Sequence, residues 1–170
     1  MKSGKNSIHF TWDKAKKRLA DAFRFNHWRG HGIHSPAVYK LVRETIIEKR
    51  ENSITVDTGS LAGNDARLVR SLSASLGLTP QWVSESPAAP GLWIAPDAVS
   101  AGRIGQWAEE AEKAGEPVYL IVNKADKQAE RFYLCQQMAQ ERQAVCLDLH
   151  KTCIFLFDPR LEKRYYRIRG

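Results

Sequence analysis

Residues 118–157, VYLIVNKADKQAERFYLCQQMAQERQAVCLDLHKTCIFLF, contain two hydrophobic periods, and the switches between them set the architecture. Val118–Val122 is a continuous apolar run of strand length. From about Asp126 to Glu141 the apolar residues Ala129, Phe132, Tyr133 and Met138 recur at helical spacing. Val145–Leu149 and Cys153–Phe157 are short β-rich runs separated only by His150, Lys151 and Thr152, a spacing that predicts a hairpin. The order is therefore strand, helix, hairpin.

Upstream, the same alternation continues. Gln81–Ser84 and Leu92–Ala95 read as short strands, and between the latter and Val118 a helix runs from a Ser100 cap to Ala114, closed by Gly115 and Pro117. Leu68, Val69, Leu72 and Leu76 mark another helix, from an Asn64 cap to Gly77. Ser35 caps and Pro36 opens a helix whose stripe is Val38, Leu41, Val42, Thr45 and Ile46, reaching about Lys49. Trp12, Ala15, Leu19, Ala22 and Phe23 share one face of a basic amphipathic helix. Residues 51–63 read as irregular, and Tyr165–Ile168 as an added edge strand. Strands alternating with helices predict an α/β fold: a mainly parallel, helix-covered sheet with a C-terminal antiparallel hairpin, preceded by N-terminal helices.

At 170 residues and 43% hydrophobic content, the chain is expected to form one domain. Within it, 1–50 is a basic helical segment, 51–79 a connecting segment with its helix, and 80–170 the α/β core. No apolar run is long enough for a membrane span and MKSGKNSIHF lacks a secretory signal's apolar stretch, so a cytoplasmic location is expected. Cys135, Cys146 and Cys153 lack CxxC spacing and lie in apolar patterns, which predicts reduced core thiols and no metal site. The net charge of +7 is uneven: residues 1–50 hold 12 Lys+Arg against 4 Asp+Glu, net +8, and the remainder is net −1. Such asymmetry fits contact with nucleic acid, anionic lipid or an acidic partner, the more ordinary reading being a solvated helix face.

Arg29–Val42, RGHGIHSPAVYKLV, resembles the opening segment of a bacterial branch of class I S-adenosylmethionine-dependent methyltransferases. The stretch VYLIVNKADKQ…RLEKRYYRI from Val118 to Ile168 is similar to that family's closing strand, helix, hairpin and basic-aromatic end. The two matches together span about half the chain. The resemblance implies a Rossmann-like methyltransferase sheet and, in an intact member, S-adenosylmethionine as cofactor. This chain departs from it at the cofactor positions. A nucleotide-like cofactor needs a glycine-rich turn at a strand's carboxyl end and an acidic residue at the next strand. Trp82–Val83 instead runs into Ser84-Glu-Ser-Pro-Ala-Ala-Pro90, with no GxGxG, and too few residues follow for a strand–helix–strand unit of roughly 30 residues. The family's second and third strands are therefore expected to be missing. Its acidic residue after the fourth strand has only the shifted match Asp97, and its paired acidic residues correspond to Asn123 and Lys124.

Further short patterns invite chemistry. Asn123-Lys-Ala-Asp126 spells the guanine-recognition NKxD, yet the chain has no GxxxxGK[ST] phosphate loop. Asp57-Thr-Gly-Ser60 spells an aspartic-protease signature, but a helix follows where that fold needs strands. Arg29, His31, His34 and Ser35 stand at a helix start and form a candidate anion site, the alternative being that the histidines cap and staple the helix. Trp12, Trp93 and Trp107 lie on apolar faces and read as core. The terminal RYYRIR fits a nucleic-acid surface or a charge-protected edge strand.

The leading expectation is a reduced methyltransferase-like protein that has lost its pocket, binds no cofactor and acts as a binding or scaffold module. It would dimerise or engage a protein partner through the N-terminal helices or an exposed sheet edge. One alternative is an active methyltransferase with a rebuilt pocket, in which Glu85 or Asp97 touches S-adenosylmethionine and His31 or His34 is the base. The other is a nucleic-acid binder using the basic N-terminal helices, with affinity that falls steeply with salt.

Overall fold

The computed structural model describes residues 32–48, 61, 63–82, 88–123, 129–149 and 151–168. The amphipathic helix expected over residues 12–23 lies outside these ranges. Helix α1, Pro36–Val42, starts at Ser35, whose hydroxyl accepts the Val38 N–H at 3.5 Å, with Pro36 at a position that needs no donor. Its last turns widen into a π-helical segment, Arg43–Ile47. There Thr45 returns its hydroxyl to the Leu41 carbonyl at 2.7 Å, and the Glu48 N–H reaches the Arg43 carbonyl.

Helix α2, Gly63–Leu76, begins before Asn64, which therefore lies inside the first turn and not at the cap expected of it. It ends at Gly77, whose φ of +68° lets Leu78 N–H reach back to the Ser73 carbonyl. Ser75 Oγ donates to Glu44 at 2.9 Å and ties α2 to the π-helical segment.

Six strands follow: β1 Pro80–Trp82, β2 Gly91–Ala95, β3 Val118–Asn123, β4 Val145–Asp148, β5 Thr152–Phe157 and β6 Arg164–Arg167. Helix α3, Ala101–Lys113, joins β2 to β3, and α4, Ala129–Glu141, precedes β4. The spatial order is β1-β2-β3-β5-β4-β6. Three pairings are parallel, β1/β2, β2/β3 and β4/β6, and two are antiparallel, β3/β5 and β4/β5. Among the described strands, only β5 runs against the others. The sheet is thus mixed and mostly parallel, and the expected C-terminal hairpin is β4–β5. The expected edge strand is β6, which lies beside β4 in parallel.

Alternate residues of each strand feed two cores, as the pleat requires. Trp93, Ala95, Leu120, Val122, Cys146 and Phe155 pack under α3 and α4 through Ile104, Trp107, Ala111, Cys135 and Met138. Leu92, Ile94, Ile121, Leu147, Ile154 and Tyr166 pack under α1 and α2 through Val38, Val42, Val69 and Leu72. Burial on both faces explains why β2 and β5 read as continuous apolar runs: every residue in them is buried. Trp93 and Trp107 are core, as expected, while Trp12 is outside the described residues. On α4 the inward stripe is Arg131, Cys135 and Met138; Tyr133, expected on that face, is exposed.

Gly91 opens β2 where a Cβ would touch the Trp93 indole nitrogen and come within 2.7 Å of the Ala88 carbonyl oxygen. Trp93 Nε1–H donates to that same carbonyl at 3.0 Å. Among the described residues no helix is long and apolar enough to cross a membrane.

Candidate polar site at the strand ends

Strands β1, β2, β3, β4 and β6 share one direction, so their carboxyl ends fall along one edge of the sheet. In open α/β sheets this is the edge at which ligands bind, at a point where the connections diverge to opposite faces. Here the two helices that follow β2 and β3 lie on the same face, so the described residues hold no divergence between those strands.

What stands there is Arg131, projected from the first turn of α4. Its side chain is charged yet only 1% exposed. It donates from Nε and Nη2 to the Val99 carbonyl, at 3.3 and 2.8 Å, and from Nη1 to the Asn123 carbonyl at 3.2 Å. A further Nη2 bond ends on the Pro96 carbonyl. All its hydrogen bonds to described residues end on main-chain oxygens. Burial draws its pKa down, and the nearby Asp97 carboxylate opposes that effect. The β2–α3 turn that it grips is itself closed by Val99 N–H on Pro96 O, and Ser100 then caps α3 by accepting Arg103 N–H at 3.3 Å.

Beside it, Asn123 at the end of β3 pairs in register with Thr152 at the start of β5, and both are buried. The Thr152 hydroxyl donates to Asp65, in the first turn of α2, at 3.5 Å. The edge therefore carries a guanidinium, an amide, a hydroxyl and one partly exposed carboxylate.

Arg29, His31 and Glu85 lie outside the described residues, as do Asp57–Ser60, Lys124–Asp126 and His150. His34 is exposed. The Ser35 hydroxyl is taken up by the helix cap. Asp97 is exposed in the β2–α3 turn. Among the described cations of the C-terminal stretch, Arg160 pairs with Asp158 at 2.7 Å, Arg164 with Glu162 at 3.0 Å and Arg167 with Asp148 at 3.1 Å, while Lys163 donates to the Gln140 carbonyl. Tyr165 also donates to Asp148, at 2.6 Å, and burial followed by this bond pushes its phenol pKa up. This pairing is that of a charge-protected edge strand.

Cys135, Cys146 and Cys153 are buried thiols of one core, none of them in a disulfide. Among the described residues no group of three His, Cys, Asp or Glu side chains is arranged to hold a metal ion.

Arg131, Thr152 and Asp65 were not singled out from sequence. Arg131 had a signal: it sits at i, i+4 and i+7 with Cys135 and Met138, a cation in line with an apolar stripe. Thr152 and Asp65 had none, because 87 residues separate them. No protein-family model matches the chain, and no curated protein or solved structure shows significant similarity to it.

Proposed function

We propose that the chain is a reduced relative of the class I methyltransferases that has lost its S-adenosylmethionine pocket and serves as a binding or scaffold module. The observation that carries this reading is the direct pairing of β1 with β2. The two strands are parallel neighbours joined only by residues 83–90, where a cofactor-binding sheet of this kind needs its glycine turn and then further strand–helix units. A single reversed strand, β5, inserted between β3 and β4 also agrees with the closing strand, helix and hairpin that the resemblance implies.

The described groups at the strand ends do not fit an adenosine cofactor. The β3 end offers the Asn123 amide in place of a carboxylate, Asp97 is exposed, and Arg131 ties the turn between them. With no cofactor to hold, what remains for partners is the basic segment before residue 50 and the outer edge of β1, for a second copy or another protein.

Calorimetric titration of the purified full chain with S-adenosylmethionine and S-adenosylhomocysteine tests the reading. A flat trace with both is expected. Micromolar binding of either would overturn it and restore an enzyme with a rebuilt pocket.

A further inference from the structure

We propose that the Arg131 guanidinium is the built-in occupant of a cation site at the ends of β2 and β3, a site walled by main-chain carbonyls that the protein fills with its own side chain. The inference deepens the reading above and rests on it, since it names which of the chain's own groups holds the strand ends together.

The lining favours a planar cation. Three carbonyls, Pro96, Val99 and Asn123, converge from two strand ends on one guanidinium, and no hydrogen-bonded carboxylate is needed to orient it. A carbonyl oxygen is an acceptor only, so the site excludes carboxylates and phosphates. Its three oxygens are addressed by Nε, Nη1 and Nη2 of one rigid fork, which a point-charge ammonium cannot reproduce. Val99 O takes two of the four bonds, which is the geometry of a fork gripping a turn and not of a side chain passing through. The bonds cross 32 and 35 residues to the β2–α3 turn and 8 to Asn123. One cation thus holds together the start of α4, the turn and the end of β3. The same turn leads directly into the Ser100 cap, so the latch also positions the start of α3.

The atoms that Arg131→Ala removes are those of N-ethylguanidinium, and this supplies the test. In the full chain, Arg131→Ala is expected to lower Tm by about 10 °C, because it leaves buried carbonyls without donors. N-ethylguanidinium chloride at up to roughly 50 mM is expected to return at least half of that loss saturably, as any ligand of the native state does. Ethylammonium chloride and urea at the same concentrations are expected to return none, and the wild-type Tm is expected not to rise with any of the three. If Arg131→Ala does not fold unaided, its refolded yield with and without N-ethylguanidinium replaces Tm as the readout.

Absence of guanidinium-specific recovery in either readout overturns the proposal. So does an Arg131→Met chain as stable as wild type, since Met fills similar space with no donor. Binding of S-adenosylmethionine to the wild-type chain would sink the reading of a lost pocket, and the rescue result stands or falls separately from it.

Discussion

Gly91→Ala isolates one consequence of the packing at the start of β2. The added methyl would sit against the Trp93 indole, 2.8 Å from Cδ1 and in contact with Nε1, and 2.7 Å from the Ala88 carbonyl oxygen. Neither neighbour is a flexible chain end: the indole is 2% exposed in the core under α3, and the carbonyl is main chain. Overpacking of this kind costs about 1–3 kcal/mol. Displacing the indole also breaks its 3.0 Å bond to Ala88 and leaves a donor in the core, at about 1–3 kcal/mol more. Restricting the unfolded chain returns about 0.4–1 kcal/mol, because Gly91 has no left-handed φ that alanine would resist. The net expectation is a loss of about 3 kcal/mol, or roughly 6–12 °C in Tm for a chain of this size. Urea unfolding of the wild type, Gly91→Ala, Trp93→Phe and the double variant measures it. Phenylalanine has a smaller ring and no N–H, so the double variant should be at least about 1 kcal/mol more stable than additivity predicts. A Gly91→Ala cost under about 0.5 kcal/mol, or strict additivity, would refute the close-approach argument.

Three further outcomes follow from the same structure. The Trp107 indole N–H is buried with no hydrogen-bond partner among the described residues, while that of Trp93 has one; Trp107→Phe is therefore expected to cost about 1 kcal/mol less than Trp93→Phe in urea unfolding, and the reverse order would contradict it. Asp158 accepts the Arg160 N–H and side chain, and the side-chain bond holds its carboxyl below the ordinary range. A depressed pKa stabilises the native state above the unfolded value near about 4 and ceases to do so as pH falls through the native value. Asp158→Asn should thus cost about 1 kcal/mol at pH 7, and that difference should shrink as pH drops below about 4, as read by urea midpoints. The thiols of Cys135 and Cys146 have pKa values raised by hydrogen bonding to Cys153 and by burial. All three cysteines should react with a disulfide reagent at pH 8 at least about 10³-fold slower in the native chain than in urea, whereas fast native labelling of any one would show that core to be open.

The sheet's elements were legible from local pattern because their causes are local. Ser35 and Ser100 announce helix starts by accepting an N–H three residues on, Gly77 announces an end by adopting positive φ, and Val118–Val122 declares a two-faced strand by its unbroken apolar run. Much less of the site was legible. Ser35 caps a helix, and His34 and Asp97 are exposed, so none of these three is a described part of a shared pocket. Arg131 could have been flagged, since a cation in the Cys135/Met138 stripe must find a partner, but its partners are main-chain oxygens and carry no side-chain signature.

By itself the sequence determined the α/β alternation, the hairpin, the core placement of Trp93 and Trp107, the absence of a GxGxG after Trp82 and the charge asymmetry, all of which depend on residue type and near-neighbour spacing. Only the tertiary structure decided that β5 inserts between β3 and β4, that β6 lies parallel to β4, and that β1 pairs directly with β2. It alone brought Arg131 to Pro96 and Val99 and Thr152 to Asp65. The physical reason is that strand order and buried polar pairing are settled by burying two sheet faces while pairing buried main-chain groups, across separations that no local window of sequence spans.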